Sequence, residues 1–227
     1  METATLSSTR TVAARPRARR LVGALFFFIA KAVAIVVLPF LVLLRSSVYL
    51  YQDRGIPTWL ALAAAAALTL GVVTAYGAWI SKRLTGKARV ALITKWVALP
   101  LVLFYCGYSL LYLARVNAKT EGVREYYTSV HPLLRIAVST LILVDDEILI
   151  TDLGRTPADY VAMGLRVYEA SLHYRQDDGY VHAMDLRTIG RGSVRNWFTQ
   201  LYFRLLGFRT LRHVGTADHL HVSLPPP

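Results

Sequence analysis

Three long apolar runs dominate the first half of this chain and constrain its fold more than any other feature. They cover residues 21–44, 58–80 and 90–113. Each is long enough to cross a hydrocarbon core of about 30 Å as a helix that rises 1.5 Å per residue. Trp59 and Trp79 lie at the ends of the second run, and tryptophan is typical of the membrane–water interface. The sequence therefore predicts three transmembrane helices within residues 21–115.

The basic residues between the apolar runs predict the orientation of these helices. The hairpin between the second and third runs contains Lys82, Arg83, Lys87 and Arg89 without an acidic residue, whereas the first loop balances its arginines with Asp53. Because short cytoplasmic loops carry the excess of lysine and arginine, the N-terminus and this hairpin are expected to be cytoplasmic. Three crossings then place the C-terminal half on the outer side of the membrane. The lipid bilayer is the first predicted partner of the chain.

The formal net charge of +12 could also indicate a nucleic-acid partner. Arginines next to apolar runs are explained by membrane orientation, so no nucleic-acid partner is expected. Residues 1–20 are polar and rich in arginine, and they are predicted to be disordered because they have little apolar surface to bury. Composition leaves the oligomeric state undetermined.

Lys31 lies inside the first apolar run and suggests one alternative function. An ionisable residue within a membrane span is by default a candidate functional site, which would suit a small membrane transport subunit. No apolar run contains an acidic partner for it, whereas a proton relay usually contains several ionisable groups. Transport is therefore the minor hypothesis.

The composition changes after Arg115, where residues 116–132 form a polar linker and residues 133–227 predict one small α+β domain with an antiparallel sheet. Gly207 should end the last helix of this domain. The predicted elements are two short strands within 141–151, helices at 158–171 and 194–206, and strands at 208–214 and 219–224.

Five of the six histidines lie in the last 55 residues. His219 and His221 share one face of the predicted last strand because side chains alternate along a strand. Together with His173 and Asp185 they offer two imidazoles and a carboxylate, a set that leaves zinc one open position for water. Asp218 is a candidate general base for that water.

His182 lies three residues before Asp185 and remains open as an alternative ligand to His173.

The order of these residues resembles a known family. Ser171-Leu-His173, Ala183-Met-Asp185 and Asp218-His219-Leu-His221 resemble the S-x-H, A-x-D and H-x-H segments of the peptidase M15 family, the D-alanyl-D-alanine carboxypeptidase-like zinc enzymes. Residues 150–157 resemble the strand, loop and helix in which these enzymes place an arginine beside the substrate. The resemblance covers residues 133–224 and does not include the apolar runs.

The resemblance implies roles for individual residues. It implies His173, Asp185 and His221 as ligands of Zn²⁺, with Arg155 polarising the scissile carbonyl or holding the substrate. It further implies Asp218 as general base and His219 as a group that assists transition-state charge. The expected function is a membrane-anchored zinc metallopeptidase that acts on peptidoglycan stem peptides outside the bacterial cytoplasmic membrane.

One spacing differs from the family pattern. Residues 174–184 separate His173 from Asp185 and include an extra piece around Asp178-Gly179, a strong turn pair that predicts a hairpin. A catalytically inactive metal-binding or scaffolding module at the cell envelope is the second alternative function.

Overall fold

The computed structural model describes residues 15–215 and 218–227. Helix α1 comprises Arg15–Gln52 and α2 comprises Thr58–Thr85. A third long helix follows without a break from α3, Val90–Ile93, through a π-helical turn, Thr94–Ala98, into α4, Leu99–Leu111. Disorder was predicted for residues 1–20. Residues 1–14 lie outside the described residues, and helix α1 begins at Arg15.

Within the described ranges, three helices are long and apolar enough to cross a membrane. They are Leu21–Gln52, Thr58–Thr85 and Val90–Leu111. The prediction of three apolar membrane-length helices is confirmed. The first helix extends two turns beyond its apolar run, because Ser47, Val48 and Tyr51 continue a buried face that begins at Leu43 and Leu44.

The C-terminal region combines short helices with one sheet. Its helices are α5, Glu121–Tyr126, α6, Pro132–Ile142, α7, Pro157–Ala162, and α8, Ser193–Leu206. Its strands are β1, Ile150–Asp152, β2, Ala183–Arg187, β3, Arg209–His213, and β4, His219–Ser223. All neighbouring strands are antiparallel in the order β1-β2-β4-β3, which confirms the predicted fold class.

Two predicted elements differ from the structure. The first strand expected within 141–151 is wrong, because α6 continues to Ile142 and only β1 follows the acidic turn. A short run that is apolar on every side does not distinguish a strand from a buried helix. The helix expected at 158–171 ends at Ala162, where Gly164 adopts φ +69°. The predicted α8, ended by Gly207, and the last two strands are confirmed.

Residues from Pro39 onward form one compact unit, and the chain before it forms another that ends at Leu38. In the larger unit, α6 is buried on all sides from Pro132 to Ser139. It contacts α2 and α4, while Tyr202 of α8 donates a hydrogen bond to the Ala137 carbonyl at 2.8 Å. The second and third membrane-length helices and the sheet therefore share one hydrophobic core.

Polar groups of α6 also satisfy the last turn of α4. Arg135 Nη1 donates to the Leu110 carbonyl at 3.1 Å, and Ser139 Oγ donates to the carbonyl of Ser109 at 2.8 Å. The last carbonyls of a helix have no partner within the helix and carry partial negative charge. A buried cation and a hydroxyl therefore fix where α4 ends.

Gly207, which caps α8, lies close to side chains at the end of α1. Its φ is +99°, and a Cβ there would lie 2.9 Å from Val48 Cγ1 and 3.3 Å from Arg45 Nη1. Gly190 has a similar φ of +81° with nothing within 4 Å of a Cβ. The two glycines therefore differ in packing and not in backbone conformation.

We expect Gly207→Ala to destabilise the protein more than the matched control Gly190→Ala. Both changes impose left-handed strain of about 1–2 kcal/mol, and only Gly207→Ala adds overpacking of about 1–3 kcal/mol. Thermal unfolding of the full chain in detergent measures the difference. Equal losses of stability in the two variants would contradict the packing contact.

Candidate metal centre

Asp185 and His221 lie opposite each other on the two central strands. Asp185 of β2 pairs with His221 of β4 in the antiparallel register, so both side chains project from the same face of the sheet. His219 lies two residues before His221 and shares that face, as the sequence predicted. The register of the sheet thus assembles a carboxylate and two imidazoles.

His173 approaches this face from the segment before β2. Its backbone carbonyl accepts a hydrogen bond from Arg155 N at 2.9 Å, which fixes the segment beside the end of β1. Its ring Nδ1 lies 2.5 Å from the Leu153 carbonyl oxygen. Since a carbonyl can only accept, Nδ1 carries a proton and donates, so Nε2 faces Asp185 and His221 and can donate when protonated or bind a metal ion when it is not.

The three ligand atoms form a compact triangle. His173 Nε2 lies 3.2 Å from His221 Nδ1 and 3.3 Å from Asp185 Oδ1, and His221 Nδ1 lies 2.9 Å from the same oxygen. Zinc bonds of about 2.0–2.2 Å in a tetrahedral site place ligand atoms about 3.3–3.5 Å apart. Three lone pairs at this spacing repel one another unless a proton or a cation lies among them. The group can therefore hold a metal ion.

The charge of Asp185 is strongly stabilised. Burial would raise the pKa of this carboxyl, but hydrogen bonds with His173 and His221 hold it well below its usual range. The interaction with Asp185 also affects the imidazole of His173. Burial lowers the pKa of His173, but the Asp185 carboxylate raises it more, so the net change is an increase. The cluster thus keeps an ionised carboxylate in a nearly dry site.

Arg155 lies at the edge of this cluster. Its Nη2 is 3.6 Å from Asp185 Oδ2, and its Nε donates to Asp152 Oδ2 at 2.7 Å. Burial lowers the pKa of Arg155, and the neighbouring Asp152 and Asp185 raise it more, so the guanidinium remains charged. The charged guanidinium of Arg155 is therefore held beside Asp185, at the edge of the place where a metal ion would bind.

Tyr160 is a site residue that sequence reasoning missed. Its ring lies under the Arg155 guanidinium at 5.8 Å, and its hydroxyl is buried without a hydrogen-bond partner among the described residues. Asp152 was also missed as the partner that orients Arg155. The sequence signal for Tyr160 is only its place in the first turns of α7, which the capping box of Thr156 and Asp159 positions.

His219 borders the open side of the cluster. Its Nε2 lies 3.7 Å from Asp185 Oδ2, and its ring stacks on His213 with centroids 4.5 Å apart. The side chains of His219 and His221 are 25% and 23% exposed, whereas His173 and Asp185 are buried. A metal held here would have a solvent-accessible side, which suits a catalytic rather than a closed structural site.

Asp218 has different partners. Arg212 donates from Nε and Nη2 to its two carboxylate oxygens at 2.6 and 2.8 Å, and Thr188 Oγ1 donates to Oδ1 at 2.6 Å. The hydrogen bonds from Arg212, and to a smaller extent the one from Thr188, lower the pKa of Asp218 to about 2. The structure does not include Asp218 in the ligand triangle, and a carboxylate so stabilised is a weak base.

His182 belongs to a separate cluster. It precedes Asp185 by three residues, and an odd spacing in extended chain places two side chains on opposite faces. Its Nε2 lies 2.9 Å from Asp178 Oδ2. The structure thus brings His173, and not His182, to Asp185 and His221. Lys31, the other sequence-predicted feature, is exposed on α1.

The segment between His173 and Asp185 folds as the predicted hairpin. Arg175 and Val181 form an antiparallel bridge, and Gly179 adopts φ +82° at the turn. Asp178 Oδ1 accepts a hydrogen bond from Tyr180 N at 3.0 Å, which closes the turn. The long spacing is therefore compatible with a closed ligand triangle.

Arg212→Gln should raise the pKa of Asp218 from about 2 towards the ordinary carboxyl value of about 3.9, because the ion pair is lost. A depressed native pKa contributes stability above the ordinary pKa that is lost as pH falls through the native one, so the variant should lose less stability between pH 4 and pH 2. Carboxyl ¹³C NMR titration, assigned with Asp218→Asn, measures the shift. An unchanged pKa would show that Arg212 is not the cause.

Comparisons with protein-family models, with curated proteins and with solved structures gave no match.

Proposed function

We propose that this chain is a membrane-anchored, zinc-dependent peptidase that acts on peptidoglycan stem peptides at the outer face of the bacterial cytoplasmic membrane. The observation that carries the proposal is the triangle of His173 Nε2, Asp185 Oδ1 and His221 Nδ1, with sides of 2.9–3.3 Å and one open side. Two imidazoles and one carboxylate are a ligand set typical of hydrolytic zinc sites.

A zinc ion held there would polarise a peptide carbonyl and lower the pKa of a bound water towards about 7. The protein itself orients the three ligand side chains. The Leu153 carbonyl fixes the tautomer of His173, and the β2/β4 register fixes Asp185 against His221. The ligands are therefore held before a metal arrives, which lowers the entropic cost of binding it.

Arg155 would stabilise the oxygen of the scissile carbonyl as negative charge develops on it. Its guanidinium is held by Asp152 and lies 3.6 Å from the inner carboxylate, so little reorganisation is needed. Preorganised donors of this kind supply a large part of the rate enhancement in acyl transfer. The hydroxyl of Tyr160, which has no hydrogen-bond partner among the described residues, would donate a hydrogen bond to the same end of the substrate.

We assign proton transfer to His219 rather than to Asp218. His219 borders the ligand triangle and is partly exposed, and imidazole is the side chain most often used as a general acid or base. Asp218 instead bridges Arg212 and Thr188, which positions the start of β4. Its role in the proposal is to place His219 and His221.

The surface next to the site suits an acidic substrate. A groove beside the open face is lined by Lys119, Leu149, Thr151, Arg187, Ile189, Asp218 and His219, and the carboxylate of Asp218 is already paired with Arg212. Lys119 and Arg187 offer two cations for the carboxylates of a stem peptide. The three apolar helices and the basic hairpin would hold this face outside the cytoplasm, where peptidoglycan lies.

We expect His221→Ala and His173→Ala to bind one zinc ion fewer per chain than the wild type and to lose cleavage of purified muropeptides. Each change removes one of three ligands. Metal analysis of the chelator-treated and zinc-reloaded full chain in detergent, with product analysis, measures both effects. The control His213→Ala should retain the ion because His213 is outside the triangle. Zinc binding without cleavage by the wild type would favour a metal-binding scaffold instead.

Arg155→Ala should lower kcat about 10²–10³-fold while zinc content stays unchanged, because it removes a transition-state donor and no ligand. The exposed Arg166 provides a control for loss of surface charge, and Arg166→Ala should keep its kcat. Steady-state kinetics on a defined stem peptide separates kcat from KM. A change in KM alone would make Arg155 a substrate-binding residue.

A further inference from the structure

A second cluster of two histidines and one carboxylate lies apart from the proposed zinc site. His131 and His182 have fully buried side chains, and the Asp178 side chain is 35% exposed. Asp178 Oδ2 lies 2.9 Å from His182 Nε2 and 4.0 Å from His131 Nε2, and one ligand atom from each residue lies within 4.8 Å of the others. No role in the proposed peptidase reaction uses these residues.

His182 has the hydrogen-bond pattern of a metal-ligating histidine. Its Nδ1 lies 2.7 Å from the Leu224 carbonyl oxygen, so Nδ1 carries the proton and donates. Nε2 then has a lone pair that faces a carboxylate, and this repulsive contact requires a proton or a cation between the two atoms. His173 shows the same arrangement with the Leu153 carbonyl in the first cluster.

His131 can join the same ion through a change of tautomer. Its Nδ1 accepts from Leu133 N at 3.3 Å, a long bond in the first turn of α6, where the amide has no helical partner in any case. Its Nε2 lies 2.8 Å from Thr58 Oγ1, a hydroxyl that can rotate to donate or to accept. Because Nδ1 accepts, Nε2 carries the proton in the metal-free protein and donates to Thr58, so coordination through Nε2 would move the proton to Nδ1 and replace both contacts.

We propose that His131, Asp178 and His182 form a second site for a divalent transition metal of the zinc class. Two imidazoles with one carboxylate favour such a cation over magnesium or calcium, which prefer oxygen ligands. Ligand atoms in a tetrahedral zinc site are about 3.3–3.5 Å apart, so the 4.0 Å distance between Asp178 Oδ2 and His131 Nε2 must shorten by about 0.5 Å. Asp178 lies on a partly exposed turn that permits this movement.

The site joins elements that are distant in sequence. His131 precedes α6, His182 immediately precedes β2, and Asp178 belongs to the hairpin of residues 175–181. Tyr51 at the end of α1 lies over the His131 ring with centroids 4.7 Å apart, and Thr58 begins α2. An ion here would tie the hairpin to the start of α6, beside the end of α1 and the start of α2.

This site accounts for residues that the sequence left unexplained. His131 lies outside the ligand set predicted from the sequence, and the piece around Asp178-Gly179 lengthens the segment between His173 and Asp185. The extra turn supplies the carboxylate, and the structure supplies its two imidazoles. The inference does not depend on the peptidase proposal.

The test uses the full chain in detergent with the first cluster disabled by His221→Ala. After chelation and zinc reloading, this variant should retain one zinc ion per chain, and adding Asp178→Asn or His182→Gln should remove it. Zinc at about 100 times its Kd should raise the Tm of the His221→Ala protein by about 5–10 °C. That shift should vanish with Asp178→Asn, a nearly isosteric change on a partly exposed turn.

Asp177→Asn, which removes the neighbouring carboxylate of the same turn, serves as the matched control and should keep both the ion and the Tm shift. A wild type with one zinc that His221→Ala abolishes would overturn the second site while leaving the first intact. A wild type with one zinc that Asp178→Asn abolishes and His221→Ala retains would support the second site and reject the first. Absence of bound zinc in the wild type would reject both.

Discussion

The buried contacts between α6 and the end of α4 are the interaction on which the rest of the structure depends. Burying a guanidinium is costly unless it is hydrogen-bonded, and Arg135 meets this condition in part: Nη1 donates to the last turn of α4, while the buried Nε has no partner among the described residues. Ser139 satisfies a second carbonyl there, and Tyr202 reaches the opposite side of α6 from α8. Because α6 is buried on all sides from Pro132 to Ser139, the membrane-length helices and the C-terminal elements must enclose it together.

The alternation of side chains along extended chain produces two clusters from one short segment. His182 and Asp185 are three residues apart and face opposite sides, so His182 faces the ends of α1 and α2 while Asp185 faces His221. The hairpin around Asp178 connects both, since it follows His173 and precedes His182. The extra residues in this hairpin therefore link the proposed catalytic face to the membrane-length helices.

The candidate site was partly predictable because a few residue types at recognisable spacings carry metal chemistry. His173, Asp185 and His221 were grouped from the sequence, and their ligand atoms lie within 3.3 Å of one another. Tyr160 was not found, because its relevance depends on the guanidinium above it. Asp218 was predicted to be a base because it lies close to His221 in the sequence. That proximity gave no indication that Arg212 and Thr188 bind its carboxylate.

The sequence by itself determined the three membrane-length helices, α8 with its glycine cap, and the last two strands. Hydropathy, periodicity and helix-terminating residues such as Gly207 act locally. Only the tertiary structure decided that residues 132–142 form a buried helix, because an apolar run suits a helix or a strand until its surroundings are known. The pairing of His131 with Asp178 and His182 was likewise decided by the tertiary structure. Contacts across long stretches of chain depend on how elements pack, and local sequence does not encode that packing.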